Sequence, residues 1–424
     1  MAGPESPTVS TTVRVKRPAT GGAVGRLDDG RVVFVRHALP GELVRAVVTD
    51  RSRSFARADA VEVIEASPER VSAPCPYARP GGCGGCDLQH ASEHAQLAWK
   101  AAVVAEHLRR IADVARDVTV AAAGVAAAGS RTRLRCAVTA DGHLALRATR
   151  SHDLVALDAC WIADSRLAPA FTTTWPGADE VELRAIGDEE VFAVARAARA
   201  GDDAVVVRAL DGTPRPVGTR SEVAVGGQRF VVSPTSFWQS HRAAPATLLA
   251  VVTAMVDPQP GDSVVDLFSG VGLFAVPLAV AVGRKGRVTA VESSASATRD
   301  ARENGEGLKN LTIREWSVSS RAVNDSVASR DVVVLDPPRQ GLSRGVAPAL
   351  VRRGPRRLVY VSCDAATFAR DLRVFLGSGY TLRDLRVFDL FPMTEHVEVV
   401  GLLDRVSAGG ESDREGADLG PRGG

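Results

Sequence analysis

The stretch LVYVSCDAATFARDL, residues 358–372, sets a cysteine between an apolar strand over 357–361 and an amphipathic helix from about residue 365. Carboxyl ends of strands are where α/β sheets bind ligands. Cys363 therefore reads either as a nucleophile or as a small buried hydrophobe. Other strand ends carry further reactive groups. Asp336-Pro337-Pro338-Arg339 follows the strand over 331–335, and Glu398 stands early in the last strand, after Phe391 and His396. After the strand over 262–268 comes DLFSGVGLFAVPLA, where Gly270 and Gly272 let the backbone turn tightly against a ligand. A helix from about Leu273 aims its amino end at the same place. Glu292 ends the next strand, 24 residues after Phe268, near the ~20-residue spacing at which a carboxylate meets ribose hydroxyls. The third glycine of a dinucleotide fingerprint is missing.

A second group has metal-ligand chemistry. Cys75, Cys83 and Cys86 form a C-x7-C-x2-C pattern in a Gly- and Pro-rich stretch, one thiolate short of a four-cysteine site. Cys160, in LDACWIAD, is the expected fourth ligand. A [4Fe-4S] cluster is the favoured occupant, with zinc open on spacing alone. Cys136, in RTRLRCAVTA, reads as core.

The elements that must position these groups follow from patterning. The chain has 424 residues, 45% apolar and 24% charged, the composition of a globular protein with two or three cores. Its longest apolar runs, 248–256 and 274–282, fall short of the ~20 residues that span a bilayer. The amino terminus lacks a signal-peptide core, so the expected compartment is the cytoplasm, where clustered cysteines hold metal rather than disulfides. Net charge is +2, and nearly all the positive charge is arginine, with lysine only at 16, 100, 285 and 309. Arginine suits phosphate and base contacts, and genomic composition gives the same bias.

From 11 to 71, short strands with glycine turns imply a small five-stranded β-barrel. A long amphipathic helix over 91–114 follows, and strand-like runs from 130 to 225 make a β-rich central region whose Arg131, Arg133, Arg135 and Arg147 face either RNA or solvent. The last third alternates strands and helices, as a doubly wound parallel sheet requires. Domains are expected over 8–71, 72–225 and 226–405, with disorder in residues 1–9 and in a tail over 406–424.

The first segment resembles a TRAM domain through Gly22, Gly25, Gly30, RVVFV and ALPGE, and the resemblance implies RNA binding. DPPR resembles the tetrapeptide of methyltransferases that act on bases, which makes S-adenosylmethionine the expected ligand of the glycine turn. Over essentially its whole length the chain resembles the RNA uracil-C5 methyltransferase family: SPTSFWQ (233–239), DLFSGVGLF (266–274), DPPRQGL (336–342), VYVSCDAATFARDL (359–372) and FPMTEHVE (391–398) occur in order. The TRAM domain and the cysteine set resemble the branch acting on 23S ribosomal RNA rather than the transfer-RNA branch. The resemblance implies a Rossmann-like α/β catalytic domain with an antiparallel last strand, Cys363 as nucleophile and Glu398 as general base. It further implies S-adenosylmethionine contacts from Gln239, Phe268, Gly270, Leu273, Glu292 and Asp336, and [4Fe-4S] ligation by Cys75, Cys83, Cys86 and Cys160. Ser269 and Leu273 depart from residues frequent in the family, and a polar adenine contact is expected near Glu315 and Trp316. Phe237, Trp238 and Phe391 are candidates for stacking on an extruded base or for core packing. His396 is expected on the same strand face as Glu398, orienting it or merely structural. The implied partner is RNA, with no membrane, and the protein is expected as a monomer.

Overall fold

A computed structural model describes residues 10–197, 205–216, 218 and 220–406. The disorder expected in 1–9 and from 407 onward lies outside the described residues. Val406, assigned to that tail, donates its N–H to Gly379 O at 2.9 Å and so still belongs to the fold.

Val, Ile and Leu runs with both faces apolar demand a sheet covered on two sides, and the catalytic sheet is built that way. Its eight strands run in the order Leu311–Glu315, Arg287–Glu292, Ser263–Leu267, Val332–Leu335, Arg357–Ser362, Glu398–Arg405, Tyr380–Asp389 and Val120–Ala122. The pairs from Leu311–Glu315 through Arg357–Ser362 are parallel, and Glu398–Arg405 is antiparallel to both of its neighbours. Alternate residues serve opposite cores. Val264, Val332 and Val359 pack beneath helices Ala244–Val256 and Ala275–Val282. Val265, Val333 and Leu358 pack against helices Val346–Arg353 and Ala365–Leu376.

The amino-terminal module has six strands rather than five, in the order Ser10–Arg14, Leu43–Arg51, Phe55–Glu65, Val32–Arg36, Gly22–Arg26 and Arg17–Ala19. Its curl brings the first strand onto the fifth in that order, where a Cβ on Gly25 would run into the Val13 side chain and the Arg14 carbonyl. A glycine at this position permits the closure.

Residues 72–225, expected as one central domain, divide. The antiparallel sheet Leu154–Ala156, Leu144–Arg147, Arg133–Val138, Glu180–Ile186, Glu190–Arg196 and Val205–Arg208 forms its own core around Trp175 and Phe171. Helix Glu93–Ile111 leaves that unit: Trp99 and Val103 pack into the barrel, Val104 and Leu108 into the catalytic core. The Val120–Ala122 strand then joins the edge of the catalytic sheet beside Val387–Asp389. The physical reason is the two-sided apolar face of the helix, which a single partner cannot cover. Among the described residues no helix is long and apolar enough to cross a membrane.

Candidate active site

Loops at one end of the catalytic sheet, together with the 237–240 segment and Arg131, Arg133 and Arg135 of the central region, surround a cavity of about 610 Å³. Cys363 follows the Arg357–Ser362 strand, and the register pairs Ser362 with Val399, which sets the thiol beside Glu398. The antiparallel insertion is what makes the first residue of one strand a neighbour of the residue after another. Asp336 ends the adjacent strand, and Phe268, Gly270 and Glu292 line the cofactor side of the same cavity together with Gln239.

Burial governs the protonation of this group. It pushes the Cys363 thiol up to about 12, with the Glu398 carboxyl adding to the effect and Arg339 opposing it. Glu398, 4% exposed, is raised well above the ordinary carboxylate range by burial and then by Asp336, again against Arg339. Asp336 rises to about 7 through burial, tempered by Gln239, whose Nε2 donates to Asp336 Oδ2 at 3.4 Å. A thiol and two carboxyls of raised pKa, with Arg339 acting on the thiol and on Glu398, are the parts of a covalent addition with proton transfer.

The helix after Cys363 also fixes the loop that carries Arg339. Asp371 lies on its inward face, where Oδ2 accepts from Tyr360 Oη at 2.7 Å and from Leu342 N at 2.8 Å. Arg370 Nη2 donates to Gln340 O and Thr367 Oγ1 to Arg339 O. The helix that follows Cys363 and the loop that carries Arg339 are therefore bonded to each other at several points.

The turn after Ser263–Leu267 is shaped by three residues of positive φ, Phe268 at 67°, Gly270 at 54° and Gly272 at 89°. A phenylalanine there is held out of its favoured region by its surroundings, a state found where a loop grips a ligand. Gly270 N donates to Glu292 Oε2 at 3.0 Å, and Glu292 Oε1 accepts from Ser293 N and Ser294 N, both at 2.7 Å. Glu292 thereby ties the turn to the next helix. The Ser269 hydroxyl is buried without a partner beside it, an orphan that a bound polar ligand would satisfy.

Several expectations need correction. Leu273 is 7% exposed and packs in the apolar core rather than lining the cavity. Trp238 is 6% exposed and stacks on Phe230 inside the core, whereas Phe237 is half exposed at the cavity with Arg133 over its ring at 5.3 Å. Alternation along the extended SFWQ segment sends one aromatic in and one out. His396 precedes the Glu398–Arg405 strand instead of sharing its face; its ring packs edge-on against Phe391, and burial holds it neutral, with its pKa down at about 4.

Of the arginines expected to face RNA, Arg131, Arg133 and Arg135 line the cavity, and Arg147 turns instead to His152. The fan is organised by Glu182, absent from the sequence reading, which takes both Arg133 Nε and Nη2 at 2.9 Å. Asp300 was likewise missed: it accepts from Ser233 N and from the Ser233 and Ser236 hydroxyls and anchors the segment that presents Phe237 and Gln239. Its position among Ala297 and Ala301, on a buried helix face, is the one signal available in sequence.

Cys75, Cys83, Cys86 and Cys160 line a second cavity, of about 120 Å³. Burial pushes Cys86 up to about 12 and raises Cys83 and Cys160. Among the described residues no group of three or more His, Cys, Asp or Glu side chains is disposed to hold a single metal ion. Cys136, read as core without a partner, is indeed buried, but it sits near enough to Cys160 and Cys83 for their charges to act on it.

Comparison with known proteins agrees with this geometry. A family model described as tRNA (Uracil-5-)-methyltransferase matches residues 219–406, and a TRAM domain model matches 11–61. A protein of Streptomyces avermitilis described as an uncharacterized RNA methyltransferase is 39% identical over 92% of this chain and 96% of its own. The 23S rRNA (uracil(1939)-C(5))-methyltransferase of Pseudomonas entomophila is 33% identical over 89% of each chain. The crystal structure of Pyrococcus abyssi tRNA (uracil-54, C5)-methyltransferase in complex with S-adenosyl-L-homocysteine shares 25% identity, with a TM-score of 0.68 over 92% of this chain and 100% of that one.

Proposed function

The chain belongs to the RNA uracil-C5 methyltransferase family, whose methyl donor is S-adenosylmethionine, and we propose that it methylates carbon 5 of a uridine in 23S ribosomal RNA through a covalent adduct on Cys363. One observation carries the reading: Cys363, Glu398, Asp336 and the Gly270 turn meet in a single cavity.

Carbon 5 of uracil is too weak a nucleophile to be methylated unaided. Cys363 passes its proton to the Asp336 carboxylate, which leaves Glu398 for the later transfer, and Sγ bonds to carbon 6 while the ring's π electrons shift toward oxygen 4. Arg339, which favours the ionised forms of both Cys363 and Glu398, offsets the negative charge that develops. S-adenosylmethionine held here would supply an electrophilic methyl group to carbon 5, its sulfonium departing as the neutral thioether. Glu398 then takes the proton on carbon 5, the released pair restores the ring double bond, and the bond to Sγ breaks. Gln239, Phe268, Gly270, Glu292 and Asp336 form the cofactor side, and Phe237 and Phe391 offer faces for an extruded base. Leu273 supports this surface from beneath.

The four cysteines fit a [4Fe-4S] cluster better than zinc. A cluster takes one thiolate per iron, so its ligands stand around a cavity instead of converging on one atom. Cys75, Cys83, Cys86 and Cys160 would hold it, clasping the Gly-rich segment to the central sheet. All catalytic groups come from one chain, so a monomer suffices, and a ribosomal substrate places the enzyme in the cytoplasm.

Changing Cys363 to Ala should abolish methyl transfer, and residual turnover would sink the mechanism. Glu398→Gln should trap a protein–RNA adduct visible on a denaturing gel. The likeness to the Pyrococcus abyssi enzyme over 92% of the chain favours a second reading, a transfer-RNA uridine. Mapping 5-methyluridine in RNA from cells lacking the protein decides between them.

A further inference from the structure

The loop that delivers Glu398 to the cavity is held from three sides. Met393 O accepts from Asp87 N and Leu88 N, each at 2.9 Å, beside the cysteine cluster. Met393 N donates to Gln96 Oε1 at 3.0 Å, and Lys100 Nζ donates to Phe391 O at 3.0 Å, both from helix Glu93–Ile111. The third attachment is a side chain. Glu395 Oε2 accepts from Gly21 N, in the barrel, at 2.6 Å, and the Glu395 amide bonds to the Asp87 carboxyl. Met393 itself sits at φ 65°, a conformation that persists only when its surroundings over-determine it.

The barrel end of this link is equally built. Gly21 has φ +89°, and a Cβ there would lie 3.1 Å from Arg57 Nη1 and 3.2 Å from Arg150 Nη2. Arg36 and Arg150 act on the Glu395 carboxyl, which burial and Asp87 oppose, and Glu395 acts in turn on Arg57. Arg150 is exposed, so an RNA phosphate and the Glu395 carboxylate draw on the same cations. Glu395 does not line the catalytic cavity; it stands in the loop that leads to Glu398, within a junction of barrel, cysteine segment and catalytic sheet.

We propose that Glu395 is a positioning residue: by binding the Gly21 amide it fixes the barrel against the catalytic loop, so that RNA seated on Arg57 of the barrel and Arg150 of the central region sets where Glu398 stands. The proposal rests on Glu398 being the base. A misplaced base slows the last proton transfer while leaving cofactor binding intact, and that predicts a distinctive signature. With unmodified ribosomal RNA, Glu395→Ala should lower kcat roughly 10- to 100-fold, the size of effect that a displacement of about 1 Å produces. Its KM for S-adenosylmethionine should stay unchanged, and the covalent RNA adduct should accumulate. Glu395→Gln keeps an acceptor for the Gly21 amide and should remain near the wild-type rate without adduct. If Glu395→Ala does not fold, Glu395→Asp, which draws the carboxylate back from Gly21, should give the same accumulation. Wild-type kcat in the Ala variant, or a kcat loss with no adduct, overturns the proposal. A Glu398→Gln control that yields no adduct overturns the base assignment instead, and so separates the two failures.

Discussion

At the scale of single residues the site runs on carboxyls held away from their ordinary range. Asp336 has a folded-state pKa of about 7 against an ordinary 3.8, so the folded protein binds its proton more tightly than the unfolded chain. That contribution to stability is complete below 3.8 and is lost as pH rises toward about 7. Asp336→Asn removes the ionisable group, so its melting temperature should fall less than that of the wild type between these pH values. Parallel thermal melts at pH 4 and pH 8 measure the difference, and equal slopes would count against the buried state of Asp336. Methyl transfer by the same variant should fall sharply, because the carboxyl faces the cavity.

At the scale of elements the long helix Glu93–Ile111 matters most, because it carries a buried cation to the catalytic sheet. Lys100 is fully buried and pairs with Asp389 at the end of the Tyr380–Asp389 strand. Lys100→Met leaves Asp389 buried without its counter-charge and should cost about 3–5 kcal/mol. The double variant Lys100→Met with Asp389→Asn removes both charges and should recover much of that loss in urea unfolding. Elements of this kind also mark the limit of what sequence tells. Cys363, Asp336, Gly270 and Glu292 were legible because each follows an apolar strand in the alternating last third, where strand ends converge by topology. Glu398 was legible once the last strand was placed antiparallel. Glu182, Asp300 and Glu395 were not, since their partners lie 49, 67 and 374 residues away along the chain. A carboxylate shows its partner in sequence only when the pair is local. Leu273 departs from expectation, and Trp238 could not be decided between base stacking and core, for a related reason: spacing places a residue near a turn, and packing alone decides which way it faces.

At the scale of the whole molecule, barrel, central sheet and catalytic sheet meet around the segment that carries the cysteines. Cys86→Ser should deprive the purified protein of iron, sulfide and brown colour. Its thermal midpoint should fall by roughly 5–10 °C, as the loss of a few kcal/mol gives in a domain of this size. A colourless wild-type protein containing zinc would overturn the cluster assignment. RNA affinity should drop in the same variant, because the clasp supports Arg131 and Arg135 along the wall of the cysteine cavity.

The position of Glu398–Arg405 also links completion of the sheet to assembly of the cavity. The strands Arg357–Ser362 and Tyr380–Asp389 both precede it in the chain, yet it lies between them. Until it arrives they expose facing edges with unpaired amides and carbonyls, a slot that only this strand fills without leaving them unsatisfied. Closing the slot and bringing Glu398 beside Cys363 are thus a single event. A chain that has folded as far as Cys363 but not yet received its last strand has the thiol without Glu398 beside it, and completion of the sheet is what brings the two together.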